Sequence, residues 1–274
     1  MRIFNTGETE EDLKTQYNPE GSNLRRMQLR MLDMLIYIDK VCKEQQISWR
    51  LDGGNILGAV RHGGFIPWDD DVDIVLLPKE HKRLCDYLKT HPHPQYVLQD
   101  HVTDPGFFAP KWAVLRDTKS EYLQNTPLHS VRKYKGAQID IFCYNNHINK
   151  FWYKVAGKFS YWNIKYFIGR HNNVANYVYY LQIFIINPIC YFLGYFFSPK
   201  NKYGHDYGHL ATPFQLKHVT HDMIYPLKPI LFEGHYFPGP GDVDKFLRFK
   251  YGDYMSLPPK EKRNHHQAEY KIWD

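Results

Sequence analysis

Cysteine is sparse in this 274-residue chain: Cys42, Cys85, Cys143 and Cys190 lie far apart, and no CxxC pair occurs. That scatter excludes a disulfide-dense scaffold and argues against a thiolate zinc centre, and it suits a reducing compartment. A long Lys/Arg block is also missing, and the formal charge of +6 is mild, so nucleic acid is not the expected partner. The chain lacks the GxGxxG turn of a dinucleotide-binding domain. Its first 22 residues are polar and acidic where a secretory leader needs an apolar core, so a cytoplasmic protein is expected. Finally, no Lys, Arg, Asp or Glu occurs between His171 and Ser198.

What is present begins with length enough for a substantial core. Ser22 can cap a helix whose apolar residues Leu24, Met27, Met31, Leu35, Ile38 and Val41 recur at three- and four-residue steps to about Lys43. Ile47, Trp49 and Leu51 alternate as a short strand, Gly53-Gly54 breaks it, and Asn55 to Arg61 suits a short helix ended by Gly63-Gly64. Val72 to Leu77 reads as a second strand, followed after Pro78 by a charged helix to about Leu88. Further strands are predicted at Lys111 to Leu115 and Gln138 to Phe142. The order implies a small α/β or α+β domain with a mixed sheet. The expected division is an N-terminal extension (1–22), a catalytic core (23–150), a helical hydrophobic insertion (151–203) and a C-terminal segment packed back on the core (204–274).

The insertion has three readings: a buried or partner-facing helical hairpin, a membrane-surface element, or a span. Val174 to Phe197 is just long enough for a span, but Asn176, Gln182, Asn187 and Pro188 interrupt it. Lys154, Lys158, Lys165, Arg170, Lys200 and Lys202 flank it, which suits an anionic surface and equally suits ordinary solubility.

The chemistry is concentrated in Leu51 to Leu77, LDGGNILGAVRHGGFIPWDDDVDIVLL. Asp71 and Asp73, two apart at the start of a strand, leave on one face while Val72 and Ile74 face the core. Carboxylates this close repel one another, and a hard cation such as Mg2+ resolves the conflict. The pair can reach one metal or bridge two. Asp69 is in phase with them if the strand begins that early, and otherwise sits in the loop. Asp70 is out of phase and is expected to cap, to pair with an Arg or to face solvent. Asp140, alone between apolar neighbours in Gln138 to Phe142, is the candidate third ligand, or else an edge residue bonded to backbone or Arg. Gly53 and Gly54 allow close backbone approach, and the helix after them can aim N–H groups at a phosphate. Asn55 can bond a phosphate oxygen or cap that helix. Arg61 can neutralise a diphosphate or pair with the aspartates, and His62 reads as structural. The histidines His205, His209, His218 and His221, and the pair His265-His266, carry weaker ligand and phosphate readings.

The arrangement resembles the nucleotidyltransferase superfamily, the polymerase-beta-like fold, and more closely the LicD family, the phosphocholine transferases of bacterial surface polysaccharides related to fukutin-related protein. The motifs are YNPEGSNLRRMQLRMLDML (Tyr17 to Leu35), GGNILGAVRHGGFIPWDDDVDI (Gly53 to Ile74), QIDIF at Asp140, and FEGHYFPGPGDVDKFLRFKYGDYMSLPP (Phe232 to Pro259). Asn55 stands where the family commonly has Thr or Ser. The resemblance implies an α+β fold with flanking helices and an aromatic-rich helical insertion. It implies Asp71, Asp73 and Asp140 as metal ligands for one or two Mg2+ (Mn2+ the alternative), with Asp69 close by. Gly53 and Gly54 would contact donor phosphates, with Asn55 and Arg61 the further candidates there. The donor would be CDP-choline and the acceptor a sugar or lipid-linked glycan. Asp140 or Asp69 is then the candidate base. The C-terminal motif is expected to be structural. Ribitol phosphate, glycerol phosphate or nucleotide transfer and a non-catalytic scaffold are the alternatives. The expected location is cytoplasmic, with peripheral contact at the inner face of the cytoplasmic membrane through 151–203.

Overall fold

A computed structural model describes residues 3–104, 107, 111–123, 132–145, 151, 154–155, 158, 173–197, 202–206, 219–263 and 269–273. Ser22 caps the first long helix as expected, its Oγ accepting the Arg25 N–H at 3.2 Å. This helix (α2, Asn23–Glu44) follows a shorter one (α1, Glu10–Tyr17) and buries Met27, Met31, Met34, Leu35 and Ile38. The apolar spacing legible in the sequence is therefore its core face.

A mixed sheet forms the centre. Its strands are β1 (Arg50–Leu51), β2 (Asp73–Leu76), β3 (Tyr96–Gln99), β4 (Trp112–Asp117) and β6 (Gln138–Asn145), in the order β1-β2-β6-β4-β3. Two further helices, α3 (Gly53–His62) and α4 (Pro78–Thr90), flank it. β2 and β6 run parallel with Asp73 opposite Asp140, and the other pairs are antiparallel. The fold is thus mixed α and β, as expected. A strand β5 (Ser120–Leu123) pairs with the last strand, β11 (Glu269–Ile272). β7 (Lys202–Asp206) pairs with the end of β6 and with β8 (Val219–Thr220).

A hairpin of β9 (Lys228–Phe232) and β10 (His235–Gly239) turns through Glu233 and Gly234, both at positive φ (49° and 79°). Two such residues between paired strands match the twist of a hairpin. The turn reaches the loop after α3: Glu233 Oε1 accepts the Phe65 N–H at 3.0 Å, while its Oε2 meets Arg25 at 2.8 Å. Short α7 (His221–Ile224) precedes the hairpin and α8 (Val243–Tyr251) follows it.

Within the 151–203 region, α5 (Asn173–Leu181), a π turn (Gln182–Ile186) and α6 (Asn187–Phe197) run consecutively. Polar Gln182 and Asn187 are buried (2% and 3% exposed), whereas Tyr177, Phe184, Phe192 and Phe197 are 64–70% exposed. Among the described residues, no helix is long and apolar enough to cross a membrane. The second arm of the expected hairpin, His209, His218 and His265-His266 lie outside the described residues.

Candidate active site

The acidic run is held by four elements. β2 begins only at Asp73, so Asp69 to Val72 form a loop, and side-chain alternation does not govern them. Gln28 of α2 fixes the loop by donating to the Asp69 carbonyl at 2.9 Å. Asn55 of α3 fixes its other end: its Oδ1 accepts the Asp73 N–H at 2.6 Å and its Nδ2 donates to the Asp71 carbonyl at 3.3 Å. Asn55 is therefore a brace for the acidic segment. Val72 and Ile74 are fully buried, as the strand reading required.

Asp70 corrects one alternative: it is buried and does not face solvent. Its Oδ2 accepts hydrogen bonds from the hydroxyls of Tyr122 (3.1 Å) and Tyr270 (2.8 Å), side chains of the paired strands β5 and β11. Asp140 is buried too, with Trp112 Nε1 donating to Oδ1 at 2.9 Å and Gln138 Nε2 to Oδ2 at 3.1 Å.

Gly53 and Gly54 start α3 and stand directly against the carboxylates. A Cβ on Gly53 would lie 2.8 Å from Asp73 Oδ2, and one on Gly54 would lie 2.8 Å from Asp69 Oδ2. Gly53 also adopts φ +54°, which favours glycine. Any larger residue at either position would push into the acidic face. The helix starts two residues earlier than the sequence suggested, so both glycines belong to its first turn.

Asp69, Asp71, Asp73 and Gly54 line a cavity of about 540 Å3. Among the described residues, carboxylate oxygens of Asp69, Asp70 and Asp71 lie within 4.8 Å of one another. Asp70 belongs to that group but not to the cavity lining, and its Oδ2 already serves two phenols. The cavity-facing aspartates are therefore Asp69, Asp71 and Asp73, with Asp140 beside Asp73 in register. Burial, then Asp71 and Asp140, drive the Asp73 carboxyl well above its ordinary range; burial, then Asp71 and Asp70, do the same at Asp69, against Arg61. A hard, all-oxygen donor set in which aspartates dominate one another's field fits a divalent cation of the Mg2+ class.

Behind the glycine turn lies the opposite arrangement. Asp52 precedes α3 and receives Arg50 Nη1 on Oδ1 and Lys250 Nζ on Oδ2, both at 2.7 Å, with all three side chains buried. The Arg50 guanidinium also stacks over Tyr144 and Phe246, 4.8 and 5.2 Å from the ring centres.

Arg61 lines the cavity beside the aspartates and also reaches the C-terminal segment. Its Nη1 donates to the carbonyls of Tyr254 (3.0 Å) and Ser256 (3.2 Å), and its Nε to His62 Nε2 at 2.9 Å. With Nε2 accepting, the His62 proton belongs on Nδ1, 2.6 Å from Glu10, so His62 is a structural relay between α1 and α3. Arg61 thereby ties the C-terminal segment to the site. Tyr251, Asp253, Tyr254, Ser256, Leu257, Pro258 and Lys262 line the same cavity as the aspartates. That segment forms a wall of the site as well as packing on the core.

A helix that starts on glycines facing a carboxylate cluster at the end of parallel strands suits phosphate chemistry. Comparison with known proteins narrows the class. Residues 46–168 match the family described as LicD/FKTN/FKRP, nucleotidyltransferase domain. Over 278 aligned residues, 90% of this chain and 96% of the relative, the chain is 28% identical to the lipopolysaccharide cholinephosphotransferase LicD of Haemophilus influenzae. A 38-residue stretch is 47% identical to the ribitol 5-phosphate transferase FKRP of Mus musculus and of Homo sapiens, covering 14% of this chain and 8% of each relative. Residues 46–168 thus resemble the LicD-family domain, and the chain is a phosphotransferase enzyme.

Proposed function

We propose that the chain transfers phosphocholine from CDP-choline to a hydroxyl of a cell-surface glycan or its precursor, such as lipopolysaccharide, teichoic acid or capsule, releasing CMP. The carrying observation is the cavity in which Asp69, Asp71 and Asp73 face the Gly53-Gly54 helix start, in a chain similar along 90% of its length to a cholinephosphotransferase. The fold is read as that of the nucleotidyltransferases. Asp71 and Asp73 would hold Mg2+, or Mn2+ in its place, with Asp140 as the third carboxylate. When bound, the metal would neutralise the diphosphate and stabilise charge on the transferring group and on departing CMP.

The residues of the chain do the rest. The first-turn N–H groups of α3 bind the diphosphate. Asn55 keeps Asp71 and Asp73 in line, and Trp112 with Gln138 orient Asp140. The acceptor hydroxyl attacks the phosphorus that bears choline. An acceptor O–P bond forms, the P–O bond to CMP breaks, and the hydroxyl proton passes to a carboxylate oxygen of Asp69, which lines the cavity as Asp140 does not.

We place the protein in the cytoplasm, with the outward aromatic face of α5 and α6 on the anionic inner face of the membrane. Gln182 and Asn187 turn inward while Phe and Tyr turn outward, and exposed Lys154, Lys158 and Lys202 lie to either side in sequence. Flotation with anionic but not neutral vesicles is the expected result.

A second reading, transfer of ribitol or glycerol phosphate by the same site, is favoured by the 38-residue similarity to ribitol 5-phosphate transferase. Incubation with Mg2+, glycan acceptor and each of CDP-choline, CDP-ribitol and CDP-glycerol separates the two. CMP release coupled to choline on the glycan supports the first; turnover only with a polyol donor replaces it with the second.

A further inference from the structure

Two tethers bracket one tyrosine at the mouth of the glycine turn. On one side Lys250, the preceding residue of α8, is anchored to Asp52 at 2.7 Å, immediately before Gly53. On the other side, Arg61 of α3 holds the carbonyls of Tyr254 and Ser256. Gly252 lies between them at φ +70°, a value that lets the chain turn sharply off the end of α8. Both anchors belong to the glycine helix or its cap, so the segment is registered against the site at two points.

Tyr251 is the side chain so placed. It lines the cavity with Asp69, Asp71 and Asp73. A Cβ built on Gly53, which would lie 2.8 Å from Asp73 Oδ2, would also lie 3.9 Å from the Tyr251 hydroxyl. The phenol and the Asp73 carboxylate therefore flank the same patch of backbone, where the proposed diphosphate would rest.

We propose that the Tyr251 hydroxyl donates a hydrogen bond to the choline-bearing phosphate of the donor, and that Tyr251 to Pro258 is the wall holding that phosphate against the glycine turn. This rests on the CDP-donor reading above. Tyr251 transfers no proton; an ordinary phenol is protonated at neutral pH and can donate to an anion. A hydroxyl bonded to a charged oxygen contributes more than a neutral pair. The choice of phosphate follows from its place beside Asp73: the reacting phosphorus is the one nearest the carboxylates.

The test is calorimetric binding of CDP and of CMP, each with Mg2+, to wild type and Tyr251→Phe. CMP lacks the second phosphate. The expected result is CDP binding weakened about tenfold or more with CMP binding nearly unchanged, and an unchanged melting temperature. Equal loss for both nucleotides would make Tyr251 merely structural, and no loss for either would remove it from the donor site; both overturn the proposal. Tyr251→Ala, probed in the same way, shows whether the ring alone supports the wall. Wild type that binds CDP but releases no CMP from CDP-choline would overturn the donor reading while leaving this test intact.

Discussion

Two buried charge clusters meet at Gly53, and they are built on opposite principles. On one side, Asp52 is matched by Arg50 and Lys250 with good geometry on both carboxylate oxygens. On the other, burial and the neighbouring carboxylates of Asp71, Asp140, Asp52 and Asp69 push the Asp73 carboxyl upward. The first cluster satisfies itself and is architecture. In the second, the hydrogen bonds to the acidic residues include those from the neutral braces Asn55, Gln28, Trp112 and two tyrosines, and the proposed cation would complete it. The glycine turn sits between a balanced cluster and a predominantly acidic one, where the proposed donor would rest.

The largest expected effect comes from the acidic side. Asp71→Asn or Asp73→Asn should lower CMP release by about 10³-fold while leaving the urea midpoint unchanged or higher, because a repelling charge has gone. A large fall in stability instead would make the cluster architectural and erase the contrast.

How far that contrast was legible in the sequence depends on the range of the interaction. The amphipathic α2, the DxD pair, the glycine turn and Asp140 all announce themselves locally, through periodicity or spacing. Asp70 did not, because phase arguments assume a strand, and residues 69–72 form a loop in which alternation carries no information. Its two tyrosines come from strands that begin about 50 and 200 residues away. Gln28, Lys250 and Tyr251 were likewise invisible as site residues, since each reads as an ordinary helix position until the fold brings it to the turn. Arg61 announces its charge in the sequence, but its bonds to the Tyr254 and Ser256 carbonyls depend on a segment about 200 residues away.

On the balanced side, Asp52→Asn should cost about 3–5 kcal/mol of unfolding free energy, because it leaves Arg50 and Lys250 buried without their carboxylate. Urea denaturation checks this, and a loss below about 1 kcal/mol would show that the cluster is not the anchor described.

A smaller effect is expected at the brace between the two strands. Trp112→Phe keeps the ring but removes the Nε1 donor from Asp140, and should lower activity roughly 10- to 100-fold with little change in melting temperature. Unchanged activity would separate Asp140 from the chemistry.

The smallest effect is a pH dependence of metal protection. Asp69 and Asp73 have folded-state pKa values above the unfolded carboxylate value. Their contribution to the metal-free fold is thus fully present below about pH 4 and is lost as pH rises towards the raised values. Mg2+ competes with those protons, so the rise in melting temperature on adding Mg2+ should be a few degrees larger at pH 8 than at pH 5. The same rise at both values would contradict this linkage.

The claim beneath all of these is that the acidic side of the glycine turn holds a divalent cation. Titration of Mn2+ followed by its paramagnetic resonance signal, for wild type, Asp71→Asn and Asp52→Asn, tests it most directly. The account predicts one or two bound Mn2+ in wild type, displaced by Mg2+, retained in whatever fraction of Asp52→Asn remains folded, and lost in Asp71→Asn. Free Mn2+ throughout the wild-type titration, or undiminished binding to folded Asp71→Asn, would contradict it.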